Sequence, residues 1–100
     1  MPDSAATSEQ VRQLVATGKP RLEAWGVKRL SLFGSAARNE PEGRDYDFLV
    51  EFDSPPKLEN FMGVKFYLED LLGKPVDLYS RPACPDRFYQ RIKHELLDVA

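Results

Sequence analysis

Leu32-Phe33-Gly34-Ser35-Ala36-Ala37-Arg38 and, past the polar residues 39–44, Asp45-Tyr46-Asp47-Phe48-Leu49-Val50-Glu51-Phe52 are the stretches that decide the reading of this chain. The first ends an apolar run at a Gly-Ser pair. The second carries two aspartates, one residue apart, at the head of another apolar run. In an extended strand, residues two apart project from the same face, so Asp45 and Asp47 are expected side by side, about 6–7 Å apart along the chain. Tyr46, Phe48, Val50 and Phe52 then point the other way, toward a core.

Each piece has a physical use. Glycine lets the backbone approach a ligand closely, and the N–H groups of the turn behind it, with the Ser35 hydroxyl, can hold phosphate oxygens. Paired carboxylates are the hard oxygen ligands that Mg²⁺ takes when it also carries a nucleoside triphosphate. Taken singly, a Gly-Ser after a strand is a common turn and an Asp-x-Asp is commonly a solvated strand edge. A third carboxylate changes the balance. Asp77 lies inside the apolar pattern Pro75-Val76-Asp77-Leu78-Tyr79, where a turn aspartate is not expected. If that strand pairs beside the first, Asp45, Asp47 and Asp77 form a cluster suited to divalent metal and to nucleotidyl transfer, with Asp77 also able to accept the proton of an attacking hydroxyl. Glu51 shares the Asp47 face but lies about 13 Å further along the strand, which leaves Asp77 as the third ligand.

The remaining chain supplies a frame for these residues. Residues 1–7 read as a disordered, solvated tail and 8–100 as one domain. Ser8 is expected to cap a helix over about 8–25, with Val11, Leu14, Val15 and Leu22 as its apolar face. Gly18 and Pro20 divide that helix in two, and Gly26 ends it. Val27–Phe33 reads as a strand with Leu30 and Leu32 on one face, and Ser35–Arg38 as a short helical turn. Leu58, Phe61, Met62, Phe66, Leu68, Leu71 and Leu72 recur at helical spacing until Gly73. Asp86 is placed as the cap of a last helix lined by Phe88, Ile92 and Leu96. Helices alternating with strands predict an α/β (α+β) fold, a small mixed β-sheet flanked by α-helices.

Composition narrows the partners. The chain has 100 residues, 42% apolar and 30% charged, an ordinary globular mixture. Fourteen Lys and Arg against sixteen Asp and Glu give a net charge of −2, a poor platform for tracking a nucleic-acid backbone. No direct nucleic-acid contact is expected, and the acceptor is expected to be a protein or a small molecule. No apolar run approaches the roughly 20 residues of a membrane helix, and the N-terminal residues lack a secretory pattern. The single cysteine, Cys84, excludes an internal disulfide, and no Cys/His cluster suggests zinc. A cytoplasmic location is expected.

With these motifs together, the chain resembles the minimal nucleotidyltransferases (MNT) of the DNA polymerase β-like superfamily, the antitoxins that pair with HEPN toxins. The matching pieces are Leu32–Arg38, Asp45–Phe52 and Val76-Asp77-Leu78, and the order of elements fits from about residue 8 onward. The resemblance implies a nucleotidyltransferase fold, Mg²⁺, and ATP as co-substrate. It also implies transfer of AMP to a tyrosine of a neighbouring HEPN ribonuclease (AMPylation), or silencing of that toxin by binding alone. Carried over by position, Gly34 and Ser35 contact phosphates, Arg38 helps hold the triphosphate, and Asp45, Asp47 and Asp77 bind metal. Transfer to a small molecule is a further alternative.

The chain also departs from the family pattern. Ala36 and Asn39 stand where relatives often have arginine and glycine, the loop to Asp45 is one residue shorter than in many members, and Arg44 replaces a small residue. A charge lost beside a partly desolvated triphosphate weakens binding by roughly 1–3 kcal/mol, and Arg44 is expected to restore it. Arg44→Ala should therefore weaken ATP binding, which calorimetry would read directly. Trp25 and Phe33 read as core, His94 as surface, and Arg87, Phe88, Tyr89, Arg91 and Lys93 as a helix able either to meet a partner or simply to present a solvated charged side.

Overall fold

Thr7, rather than Ser8, starts the first helix. Its side chain accepts from the Gln10 N–H at 3.2 Å while the Gln10 side chain accepts from the Thr7 N–H at 2.8 Å. This reciprocal pair satisfies two donors that the first helical turn would leave unpaired. Thr7, assigned to the tail from sequence, is thus part of the fold. Thr7→Ala is expected to cost about 1 kcal/mol, seen as a lower melting temperature. The structure, a computed structural model, describes residues 7–34, 36–38 and 46–100.

The element order is α1 (Ser8–Thr17), α2 (Lys19–Ala24), β1 (Val27–Phe33), β2 (Tyr46–Phe52), α3 (Leu58–Leu72), β3 (Val76–Ser80), α4 (Asp86–Ile92), a 3₁₀ turn (Lys93–Glu95) and β4 (Leu97–Asp98). The two-part helix is as expected. Gly18 separates α1 from α2, and Pro20 sits in the first turn of α2, where its missing N–H removes no helical bond. Gly26, at φ +89°, turns the chain into β1. At the other end of the chain, Asp86 is the first residue of α4 and not its cap, since Pro85 holds that position.

The sheet has the order β3-β2-β1-β4. β1 runs antiparallel to both β2 and β4, while β2 and β3 are parallel. The parallel pair needs a crossover, which α3 provides. This is the small mixed α+β sheet that the alternation predicts.

Both faces of the sheet are covered. On one, Leu30, Leu32, Phe48, Val50 and Val76 pack against Val11, Val15, Leu22, Val64 and Leu68 of α1, α2 and α3. On the other, Phe33 and Leu49 pack with Cys84 and Ile92, and Phe88 and Leu96 lie against them. Burial on two sides accounts for the unbroken apolar run Phe48-Leu49-Val50, which a half-exposed strand would not need. Leu58 and Phe66 depart from expectation. They share the helical spacing of α3 but are 76% and 56% exposed, because the buried face of α3 is set by Val64 and Leu68.

Two carboxylates fasten the ends of this frame. Glu69 accepts from Lys65 Nζ at 2.8 Å and from the Val76 N–H at 3.0 Å, tying the end of α3 to the start of β3. The Lys65 bond, and then the Val76 bond, hold its carboxyl below the usual range. Asp98 of β4 accepts two bonds from the Arg29 guanidinium, at 3.1 and 3.0 Å, and one from the Ser31 hydroxyl at 2.7 Å. The last residues continue the strap, with the Val99 N–H donating to the Leu30 carbonyl and the Leu30 N–H to that of Ala100.

The Asp98 carboxyl is lowered, first by the Arg29 hydrogen bond and, less strongly, by that of Ser31. A carboxyl lowered in the folded state stabilises the fold above its unfolded pKa, and that stabilisation is lost as pH falls through the folded value. Wild type should therefore lose melting temperature below about pH 4, and Asp98→Asn should lose less over that interval. The pair is half exposed on both sides, so the effect is small and fades with salt.

Candidate active site

Strand pairing brings the sequence-distant carboxylates together. Asp47 is the register partner of Asp77 across the parallel β2–β3 pair, and of Phe33 across the antiparallel β1–β2 pair. Neighbouring strands are about 4.8 Å apart, so Asp47 and Asp77 are side-chain neighbours on one face. Asp47 is half-buried and Asp77 exposed. Glu51 lies further along β2, opposite Arg29, away from the pair. Asp45 and Ser35, and with them Arg44 and Asn39, lie outside the described residues.

Gly34 links the end of β1 to Asp47. Its φ is +81°, and a Cβ placed on it would come 2.6 Å from Asp47 Oδ2. The carboxylate thus occupies the space a side chain at residue 34 would take. Backbone conformation and close approach both require glycine here. The following residues fold back as a turn, with the Ala37 and Arg38 N–H groups donating to the Gly34 carbonyl at 3.1 and 3.2 Å. That turn matches the short helical turn expected over Ser35–Arg38 among its described residues, 36–38.

Two contributions were not singled out from sequence. The first is Glu95, in the 3₁₀ turn. It accepts from the Gly34 N–H at 2.9 Å through Oε1 and from Arg38 Nη1 at 2.8 Å through Oε2. Nothing in sequence joins a glutamate to a glycine 61 positions away. The second is Tyr79, two residues beyond Asp77 and on its face. It packs on Phe33 and Phe88, with ring centroids 5.7 and 5.4 Å away. Burial, then the negative charges of Asp47 and Asp77, push its phenol pKa up, so it remains a neutral hydrogen-bond donor beside the carboxylates. Strand alternation from Asp77 was the signal that could have found it.

As sequence suggests, Phe33 is core, His94 is exposed, and Trp25 packs against the main core. A cavity of about 510 Å³ lined by Phe52, Pro55, Pro56 and Pro82 includes the C-terminal residue of β2 and contains none of the candidate residues. Among the described residues, no helix is long and apolar enough to cross a membrane, and no group of three His, Cys, Asp or Glu is placed to hold a metal ion. Asp47 and Asp77 are two hard oxygen donors, adjacent and solvent-accessible, and that donor chemistry suits Mg²⁺.

Comparison with known proteins agrees with this arrangement. The family described as "Nucleotidyltransferase domain" matches residues 19–99. A Methanocaldococcus jannaschii protein provisionally named a protein adenylyltransferase is 43% identical over 81 residues, spanning 80% of this chain and 87% of its own. The protein adenylyltransferase MntA of Thermococcus cleftensis is 34% identical over 95 residues, spanning 93% of this chain and 96% of its own. A solved structure provisionally described as a minimal nucleotidyltransferase superposes with a TM-score of 0.77 at 30% identity, over 95% of this chain and 98% of that one. A chain from the complex of a tri-AMPylated Shewanella oneidensis HEPN toxin with its MNT antitoxin superposes with a TM-score of 0.64. Its identity is 17%, over 89% of this chain and 71% of that one, so this last likeness concerns the fold alone.

Proposed function

Because the chain belongs to the nucleotidyltransferase domain family and is an enzyme of that class, we propose that it is a protein adenylyltransferase and the antitoxin of a HEPN/MNT pair. In this reading it transfers AMP from ATP to a tyrosine hydroxyl of its cognate HEPN ribonuclease. The observation that carries it is the juxtaposition of Asp47, Asp77 and the Gly34 turn at one end of the sheet. The relatives named as protein adenylyltransferases support the choice of a protein acceptor.

The residues divide the work by position. The Gly34–Arg38 turn, with Ser35 and the Arg38 guanidinium, holds the triphosphate at the end of β1. Asp45, Asp47 and Asp77 are the ligands for Mg²⁺, which when bound neutralises phosphate charge and steadies the pyrophosphate leaving group. Asp77 lies on the side of Asp47 away from the turn, so the acceptor enters over β3. The phenol oxygen forms a bond to the α-phosphorus as the bond to the β-phosphate oxygen breaks, and the phenol proton passes to Asp77. The half-buried Asp47 keeps the α-phosphate in line with that oxygen.

The test is the intact mass of a co-expressed HEPN partner after incubation with ATP and Mg²⁺. Addition of whole AMP units by wild type, abolished by Asp45→Asn, is the expected result. An unmodified toxin that is nevertheless silenced would show that the chain acts by binding alone. Modification of a small molecule instead would overturn the protein acceptor.

A further inference from the structure

Glu95 contacts both ends of the turn that the proposed function assigns to the triphosphate. One carboxylate oxygen takes the Gly34 N–H and the other takes Arg38 Nη1, at 2.9 and 2.8 Å. Between those ends the turn is closed by its own backbone bonds to the Gly34 carbonyl. The Gly34 amide is therefore engaged by the protein itself, and what Gly34 offers a ligand is close approach of its backbone.

Such a carboxylate could act in two opposite ways. It could stand in for phosphate and have to leave when ATP arrives, or it could fix the turn in the shape ATP needs. The segment that carries it decides between them. Ile92 before it is buried, Leu96 after it packs into the same small core, and β4 beyond is fastened to β1 through Asp98, Arg29 and Ser31. A carboxylate held on both sides is poorly suited to leaving. Gly34 is also approached from two directions, with Asp47 where a side chain would be and Glu95 at the N–H. Glu95 can thus stay bound while a nucleotide lies against Asp47.

We propose that Glu95 is a positioning residue for nucleotide binding. It orients the Gly34–Arg38 turn and the Arg38 guanidinium, and so makes the phosphate site depend on the C-terminal strap. This inference rests on the nucleotidyltransferase reading of the site. Glutamine at position 95 can still accept from Gly34 but offers Arg38 only an N–H₂ group or a shared oxygen, whereas alanine releases both partners.

The experiment uses the whole chain in three forms, wild type, Glu95→Gln and Glu95→Ala, with melting temperatures taken alongside. Amide hydrogen exchange at Gly34 is measured without nucleotide, and Mg-ATP affinity by calorimetry. Glu95→Gln should keep Gly34 protected yet bind Mg-ATP about tenfold more weakly, the scale expected for losing a charge-assisted bond. Glu95→Ala should lose both the protection and the affinity. Equal affinity in all three forms overturns the inference alone. Tighter binding by the variants also overturns it and makes Glu95 an occupant of the phosphate site. A wild type that binds no Mg-ATP at millimolar concentration overturns the nucleotide reading, and this inference with it.

Discussion

Asp47→Asn is expected to lower AMP transfer by at least about 100-fold while leaving the melting temperature nearly unchanged. Substitutions that touch only the partners of metal ligands already cost 10–100-fold, so loss of a direct ligand should reach or exceed that range. Asparagine has nearly the same shape as aspartate, keeps one oxygen, and sits at a half-buried position on the strand. The loss is therefore one of charge, not of fold. Asp77→Asn should behave similarly, because the two are register partners facing the same ion. Rates of AMP incorporation at saturating ATP, with circular dichroism on the same samples, check both points. Full activity in Asp47→Asn would remove this carboxylate from the metal site.

Gly34→Ala is expected to damage stability and activity together. At φ +81° an L-residue pays about 1–2 kcal/mol in backbone conformation. The new methyl group would also lie 2.6 Å from Asp47 Oδ2, closer than any stable contact, so the carboxylate or the strand end must move. Displacing a catalytic group by about 1 Å costs on the order of 100-fold in rate. A lowered melting temperature with a rate loss well beyond that of an equally destabilised core variant is the expected pattern. A rate loss that only tracks stability would mean that the approach of Asp47 to Gly34 has no bearing on catalysis.

The elements that sequence reveals best are those with long periodic patterns. The α1–α2 break at Gly18 and Pro20, the apolar face of β1 through Leu30 and Leu32, and the core placement of Val64 and Leu68 follow from local rules of spacing. So does the chemistry of Asp47 and Asp77, because alternation along a strand fixes which face each residue takes. Their meeting rests on register across β2 and β3, which short strands specify only weakly and which the sequence supports through a conditional argument. Leu58 and Phe66 were misread because hydrophobic spacing does not say which side of a wide apolar helix is covered. β4, two residues long, is too short for any period to appear. Glu95 was missed because its partners come from β1 and the turn behind it, and such a contact has no local signature.

The strap formed by β4 has a second consequence, for solubility. β1 would be an outermost strand without it, offering the N–H and C=O groups of Leu30 and Leu32 to any passing chain. Open edges of that kind template sheet-to-sheet association. Two residues of β4, with the charged pair Arg29 and Asp98 beside them, close that edge and bring charge to it. Damage to the last few residues would then show itself first as turbidity and low yield, before any assay of chemistry could be run.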